Sequence, residues 1–155
     1  MATRQNKLAI GNDIDPQPYR PQSAPRLAVN PARRLASAAD VHQEVLDLRD
    51  ADREHFVAFD RNVRHRIITR RVVAIGTLSS VEVHPREVFK PAICNSAAAM
   101  IVVHNHPSGD PEPSRQDIEL TTRLREVAEL CGIPLLDHVI IGSEGYVSLA
   151  ERGWR

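Results

Sequence analysis

Between Val102 and Asp117 the chain reads VVHNHPSGDPEPSRQD. His104 and His106 stand two residues apart at the end of an apolar run. In an extended chain such residues point to one side, so both imidazoles can reach a common point. Neutral imidazoles suit zinc, and a carboxylate commonly completes a three-ligand set. Asp117 is the best-placed supplier, because it falls in the first turn of a helix that Ser114 would cap. Gly109 permits a tight bend between them, and Pro107, Pro111 and Pro113 stiffen it. On spacing alone two readings stand side by side. One is a metal site; the other is that Ser114-x-x-Asp117 is a helix capping box, which needs no ion.

The elements that would position these residues are legible from periodicity. Ser37-Ala-Ala-Asp40 is a helix-start signal, followed by Val41, Val45 and Leu48 at helical spacing. EHFVAFD reads as a strand, Asp60 to Val63 as a turn, and HRIITRRVVAIGTLS as a long β segment, together a hairpin. Pro85 opens a second helix that runs through Val88 and Phe89 toward the alanines 97 to 99, with Pro91 favouring a kink or an early break. Met100 to Val103 is a buried central strand that ends at the histidines. A third helix carries Ile118, Thr121, Leu124, Val127 and Cys131 on its inner face and stops at Gly132. Leu135 to Ile141 is another buried strand, and Tyr146 to Ser148 a short returning one. The order α-β-β-α-β-α-β-β predicts an α/β (α+β) fold, a mixed β-sheet flanked by helices.

At 155 residues the chain suits one domain. Five of its eleven prolines fall within the first 31 residues, among few large apolar ones. Residues 1–35 are therefore expected to form a disordered, Pro-rich basic tail, and residues 36–155 the folded domain. The net charge of zero divides unevenly, +4 for residues 1–35 and −4 for the remainder. Nucleic acid as a partner is thus not supported by the domain's charge. Arg61, Arg64, Arg66, Arg70 and Arg71 cluster in sequence and read as a solvated face of two strands. No apolar run approaches the roughly 20 residues of a membrane span, and no secretory signal opens the chain. A cytoplasmic protein without membrane partners is expected, with Cys94 and Cys131 as reduced, buried thiols. Nothing in the sequence sets an oligomeric state.

From His104 the spacing is H-x-H, seven residues, Ser114, two residues, Asp117. This resembles, at every position, the motif of the JAMM (MPN-type) zinc metalloproteases. The wording around it, VHPREVF before, HNHPSGDPEPSRQDIELTTRL through it and LLDHVIIG after it, looks like the RadC branch of that superfamily, in a short form without the helix-hairpin-helix region. The likeness covers about residues 36 to 153. It implies an MPN/JAB-like, cytidine-deaminase-like architecture.

The resemblance also implies chemistry. Zinc would be held by His104, His106 and Asp117, with one position left open for water, as in a catalytic rather than a structural site. A glutamate upstream acts as general base in that family, and Glu54, Glu82 and Glu87 are candidates; Glu54 opens an apolar strand of the hairpin and fits best. Ser114 would donate to the oxyanion. The implied reaction is zinc-dependent hydrolysis of an amide or isopeptide bond in a protein or peptide substrate. The alternatives are a DNA-repair or mobile-element-associated accessory protein acting on or near DNA, and a zinc-binding interaction module without activity. The contiguous H-N-H letters do not match the HNH nuclease motif, in which the named residues are dispersed rather than adjacent. Asp137 and His138 belong to the RadC-like wording; Asp137 reads as a buried hydrogen-bonding group or as a partner for a ligating imidazole.

Overall fold

Alternation of side chains along four strands sorts the core into two halves, one on each face of a single sheet. The computed structural model describes residues 26–27, 30, 32–76 and 82–154. Its elements are β1 (Arg26–Leu27), α1 (Ala38–Gln43), β2 (His55–Arg61), β3 (Ile67–Ile75), α2 (Pro85–Cys94), β4 (Ala99–Asn105), α3 (Arg115–Cys131), β5 (Leu135–Gly142) and β6 (Gly145–Ser148). The sheet order is β1-β3-β2-β4-β5-β6. Only β4 and β5 run parallel, joined through α3; the other pairs are antiparallel. The mixed, helix-flanked sheet expected from the sequence is therefore the fold.

Odd-numbered residues Val57, Phe59, Ile101, Val103, Val139 and Ile141 pack with Val41 and Val45 of the α1 segment. Even-numbered Phe56, Ala58, Met100 and Val102 pack on the other face, with Val88 and Phe89 of α2 and Leu124 and Ala128 of α3. Every residue of β4 is buried because both faces of that strand are covered. Burying a side chain of this kind contributes roughly 1.5–3 kcal/mol, so the register of β4 is strongly held. The same parity that sends Met100 and Val102 toward α3 sends His104 there as well.

Several local expectations need correction. Asp60 and Arg61 continue β2 instead of forming the turn, which lies at Asn62 to Arg66. The α2 helix runs through Pro91 without breaking and ends at Cys94, and Ala99 already belongs to β4. Pro91 leaves the Glu87 carbonyl without its helical donor. Arg71 answers it: Nη1 donates to Glu87 O at 3.4 Å and Nη2 to the Val88 carbonyl at 2.5 Å. Arg71 also pairs with Asp60 at 3.1 Å, and Asp60 accepts from Asn95 Nδ2 at 2.8 Å. Arg61 and Arg70 are buried too, Arg61 donating to the Leu35 carbonyl and Arg70 pairing with Asp47. Three of the five clustered arginines thus bind the fold together; Arg64 and Arg66 alone are exposed.

Order begins earlier than residue 36. Arg26–Leu27 pairs with Arg70 and Arg71 of β3, Arg34 bridges Arg66, and Leu35 is buried in the α1-side core. Residues 1–25, 28–29 and 31 of the expected tail lie outside the described residues. Cys94 is exposed and Cys131 half-buried, both as free thiols, so Cys94 is not the buried thiol expected.

Removing one partner of a buried ion pair leaves the other charge uncompensated, which costs about 3–5 kcal/mol. Asp60→Ala should therefore lower unfolding stability by about that amount in urea titration. An unchanged midpoint would show that Arg71 does not depend on Asp60.

Candidate metal centre

β4 ends at His104 and Asn105, and His106 follows at the first step of the loop. The His106 amide still donates to the Ile141 carbonyl at 2.9 Å, so the chain stays extended across both histidines. The loop then folds back against the β5–β6 corner. The Ser143 amide donates to the Gly109 carbonyl at 2.9 Å, and Gly109 sits at φ +90°, where a side chain would be strained. A Cβ on Gly142 would meet the Gly109 carbonyl, so this contact requires glycine there. The return brings Ser114 to the N-cap of α3 and Asp117 to its first turn.

The capping box is present, and the same carboxylate also faces both imidazoles. Asp117 Oδ2 accepts from the Ser114 amide at 2.7 Å and from Ser114 Oγ at 2.6 Å, while Ser114 Oγ accepts from the Asp117 amide. Oδ1 faces His104 Nε2 at 3.1 Å, and Oδ2 lies 3.4 Å from His106 Nε2. The two Nε2 atoms are 2.9 Å apart. His104, His106 and Asp117 each offer one ligand atom within 4.8 Å of the others.

Hydrogen bonds on the far side of each ring assign its tautomer. Thr121 Oγ1 donates its one proton to the Asp117 carbonyl at 2.6 Å, so it accepts from His138 Nδ1, also at 2.6 Å. His138 Nε2 is then an acceptor and takes the Nδ1 proton of His104 at 2.8 Å. Burial holds His138 well below the usual histidine range, with the neighbouring His104 acting in the same sense, so it stays neutral. His106 Nδ1 donates to the Asp110 carbonyl at 2.8 Å. Both Nε2 atoms are therefore left with a lone pair, and both lone pairs face the Asp117 carboxylate.

Three electron-rich atoms converging in a largely buried place require a positive charge between them. A proton or a metal ion can supply it. Hydrogen bonding to Asp117 pushes the His106 imidazolium above its usual range against the effect of burial, which is the proton's claim on the site. With the proton in place, the effect of burial on Asp117 is outweighed by hydrogen bonds from His104, His106 and Ser114, which hold its carboxyl far below the ordinary range. Two nitrogens sharing one tetrahedral zinc stand roughly 3.3 Å apart, given zinc–nitrogen bonds near 2.0–2.1 Å. The 2.9 Å found here is close to that, so the donor set fits zinc.

A groove of about 600 Å³ opens onto these ligands, lined also by Glu54, Phe56, Glu82, His84, Ser114 and Arg123. Phe56 lies against His104 with ring centroids 6.1 Å apart. Glu54 sits immediately before β2, half-buried, and burial raises its carboxyl above the usual range, against the opposing effect of His104 and His106 and with a smaller push from Asp117. Glu82 reaches the groove but is exposed and pairs with His84 at 3.5 Å. Glu87 does not line the groove and pairs with Arg86 on the exposed side of α2. Among the three candidate glutamates, Glu54 alone lines the groove half-buried with a raised carboxyl.

Residues 35–154 match the family model described as RadC-like JAB domain. The chain belongs to that family. Among its relatives, a UPF0758 protein of Desulforamulus reducens is 53% identical over 132 residues, covering 83% of this chain and 58% of its own length. Another, of Geobacillus sp., is 50% identical over 130 residues, with the same coverage of both chains. A third, of Bacillus licheniformis, is 56% identical over 108 residues, 70% of this chain and 48% of the relative. The RadC-like chain thus spans about half the length of the curated relatives it matches.

Of two further groups at this RadC-like site, His138 was marked in the sequence only by the RadC-like wording, and Thr121 only as an inner-face position of the third helix. Thr121 and His138 form the chain that fixes the His104 tautomer, and the signal available was the parity of His138 on a buried strand. Asp137, by contrast, accepts from Ser148 Oγ at 2.6 Å and the Ala150 amide at 3.0 Å, a structural role away from the imidazoles. Among the described residues no helix is long and apolar enough to cross a membrane.

Partners that orient a metal-binding imidazole typically contribute 10–100-fold in metal affinity. His138→Phe keeps an aromatic ring in that place but no acceptor for His104. Competition titration with a zinc chelator should show affinity weakened by about that factor. Equal affinity would mean that His138 does not control the His104 tautomer.

Proposed function

We propose that this RadC-like domain is a zinc-dependent metallopeptidase-type hydrolase that cleaves an amide or isopeptide bond. The observation that carries the reading is the convergence of the His104 and His106 lone pairs with the Asp117 carboxylate on the floor of a groove that also holds Glu54. Three protein ligands, rather than four, are what a catalytic site uses. Zinc held there supplies a Lewis acid and lowers the pKa of water to roughly 7.

The chain's own residues supply the proton handling and the positioning. Glu54, its carboxyl raised by burial, accepts a proton from the attacking water and returns it to the leaving amine. A group above the ordinary carboxylate range holds that proton longer, which serves both halves of the exchange. Ser114 has a first task in orienting Asp117, since its hydroxyl proton is donated to Oδ2. Donation to a substrate oxyanion requires that hydroxyl to turn from Asp117 into the groove. Phe56 and the neutral His138 keep the back of the site dry, which strengthens each of these interactions. The groove wall beyond the ligands, with Glu82, His84 and Arg123, is where a protein or peptide substrate would be read.

General acid–base groups contribute typically 10²–10⁴-fold in rate. Glu54→Gln should keep its zinc and lose at least about 100-fold in turnover on a library of amide- and isopeptide-linked peptides. Equal cleavage by wild type and variant would remove Glu54, and no cleavage by zinc-loaded wild type across the library would overturn the hydrolase reading.

A further inference from the structure

Asn105 lies between the two metal-site histidines, and alternation along β4 turns its side chain to the opposite face. It is 1% exposed. Its carboxamide Oδ1 accepts from the His55 amide at 2.7 Å, and its Nδ2 donates to the Arg53 carbonyl at 2.9 Å. Those two groups flank Glu54. Phe56 and His104 are the last residues paired along the β2–β4 ladder at this end. One step further the Asn105 side chain takes over, presenting one acceptor and one donor as a peptide unit would. The Gly76 amide holds the Glu54 carbonyl from the β3 side at 2.8 Å. Glu54, which precedes β2, is thereby tied into the sheet at both of its neighbours.

We propose that Asn105 is the positioning residue for Glu54. The strand that carries two metal ligands on one face holds the general base with the residue between them. Ligands and base then share one rigid element, and the separation between them is set by the geometry of β4 rather than by the loop before β2. Misplacing a catalytic group by about 1 Å can cost 10²-fold in rate. A carboxamide is required, because only a group with both a donor and an acceptor meets Arg53 and His55 together. The inference rests on Glu54 acting as the base, and the test separates the two.

Asn105→Ala and Asn105→Asp, the second nearly isosteric and without a donor for Arg53, are compared with wild type. Bound zinc, amide exchange and ¹⁵N relaxation at Glu54 and His55, and steady-state kinetics are measured on each. The expected result in Asn105→Ala is unchanged zinc content, at least about 10-fold faster exchange at His55, a more mobile Glu54, and a 10–100-fold fall in kcat with KM unchanged. Asn105→Asp should keep the protection of His55 better than Asn105→Ala and still lose turnover. An ordered Glu54 with unchanged kcat in Asn105→Ala overturns the proposal, and so does loss of zinc together with activity. Should Glu54→Gln turn over normally, the hydrolase role of Glu54 fails, while the exchange and relaxation data still decide whether Asn105 holds that segment.

Discussion

Two imidazole lone pairs aimed at one carboxylate make an arrangement that neutral, uncharged contacts cannot satisfy. Much of the RadC-like domain can be understood as the machinery that enforces it. The Thr121–His138–His104 chain sends one proton away from the centre, and the Asp110 carbonyl draws the other away on His106. With both protons committed outward, the inner atoms are all acceptors. Such a cluster costs free energy in a low-dielectric place unless a cation joins it.

The sheet makes this arrangement rigid. β4 is covered on both faces, so a slip of one residue would drive Met100, Val102 and His104 to the wrong side. α3 bridges the parallel pair β4–β5, and its first turn delivers Asp117 to the end of the strand that precedes it. One carboxylate then does two jobs. Oδ2 caps the helix and lies 3.4 Å from His106 Nε2, while Oδ1 faces His104 Nε2, so the start of the helix and the placement of this carboxylate cannot be separated.

Local features of this design were legible in the sequence because they depend on local periods. Two-residue alternation placed His104 and His106 together, and the cap at Ser114 located Asp117. The capping box and the His–His–Asp cluster coexist, because the Asp117 carboxylate takes part in both. What depends on distant pairing was not legible. His138 reaches His104 only through the β4–β5 register, which sets His138 beside Val102. Arg71 read as a solvated strand residue, yet it is buried against Asp60 of β2 and the Val88 and Glu87 carbonyls of α2. Residues 26–27 and Leu35, assigned by composition to a tail, join the fold through contacts with β3 and the α1-side core.

Metal content decides whether the inner atoms of His104, His106 and Asp117 are built around a metal ion. Protein purified without chelator, and then dialysed against zinc, should hold about one zinc per chain. His104→Ala and Asp117→Ala, still folded, should hold none. A wild-type protein that retains and takes up no zinc would mean that the converging lone pairs are neutralised by protons alone and that no metal centre is built there.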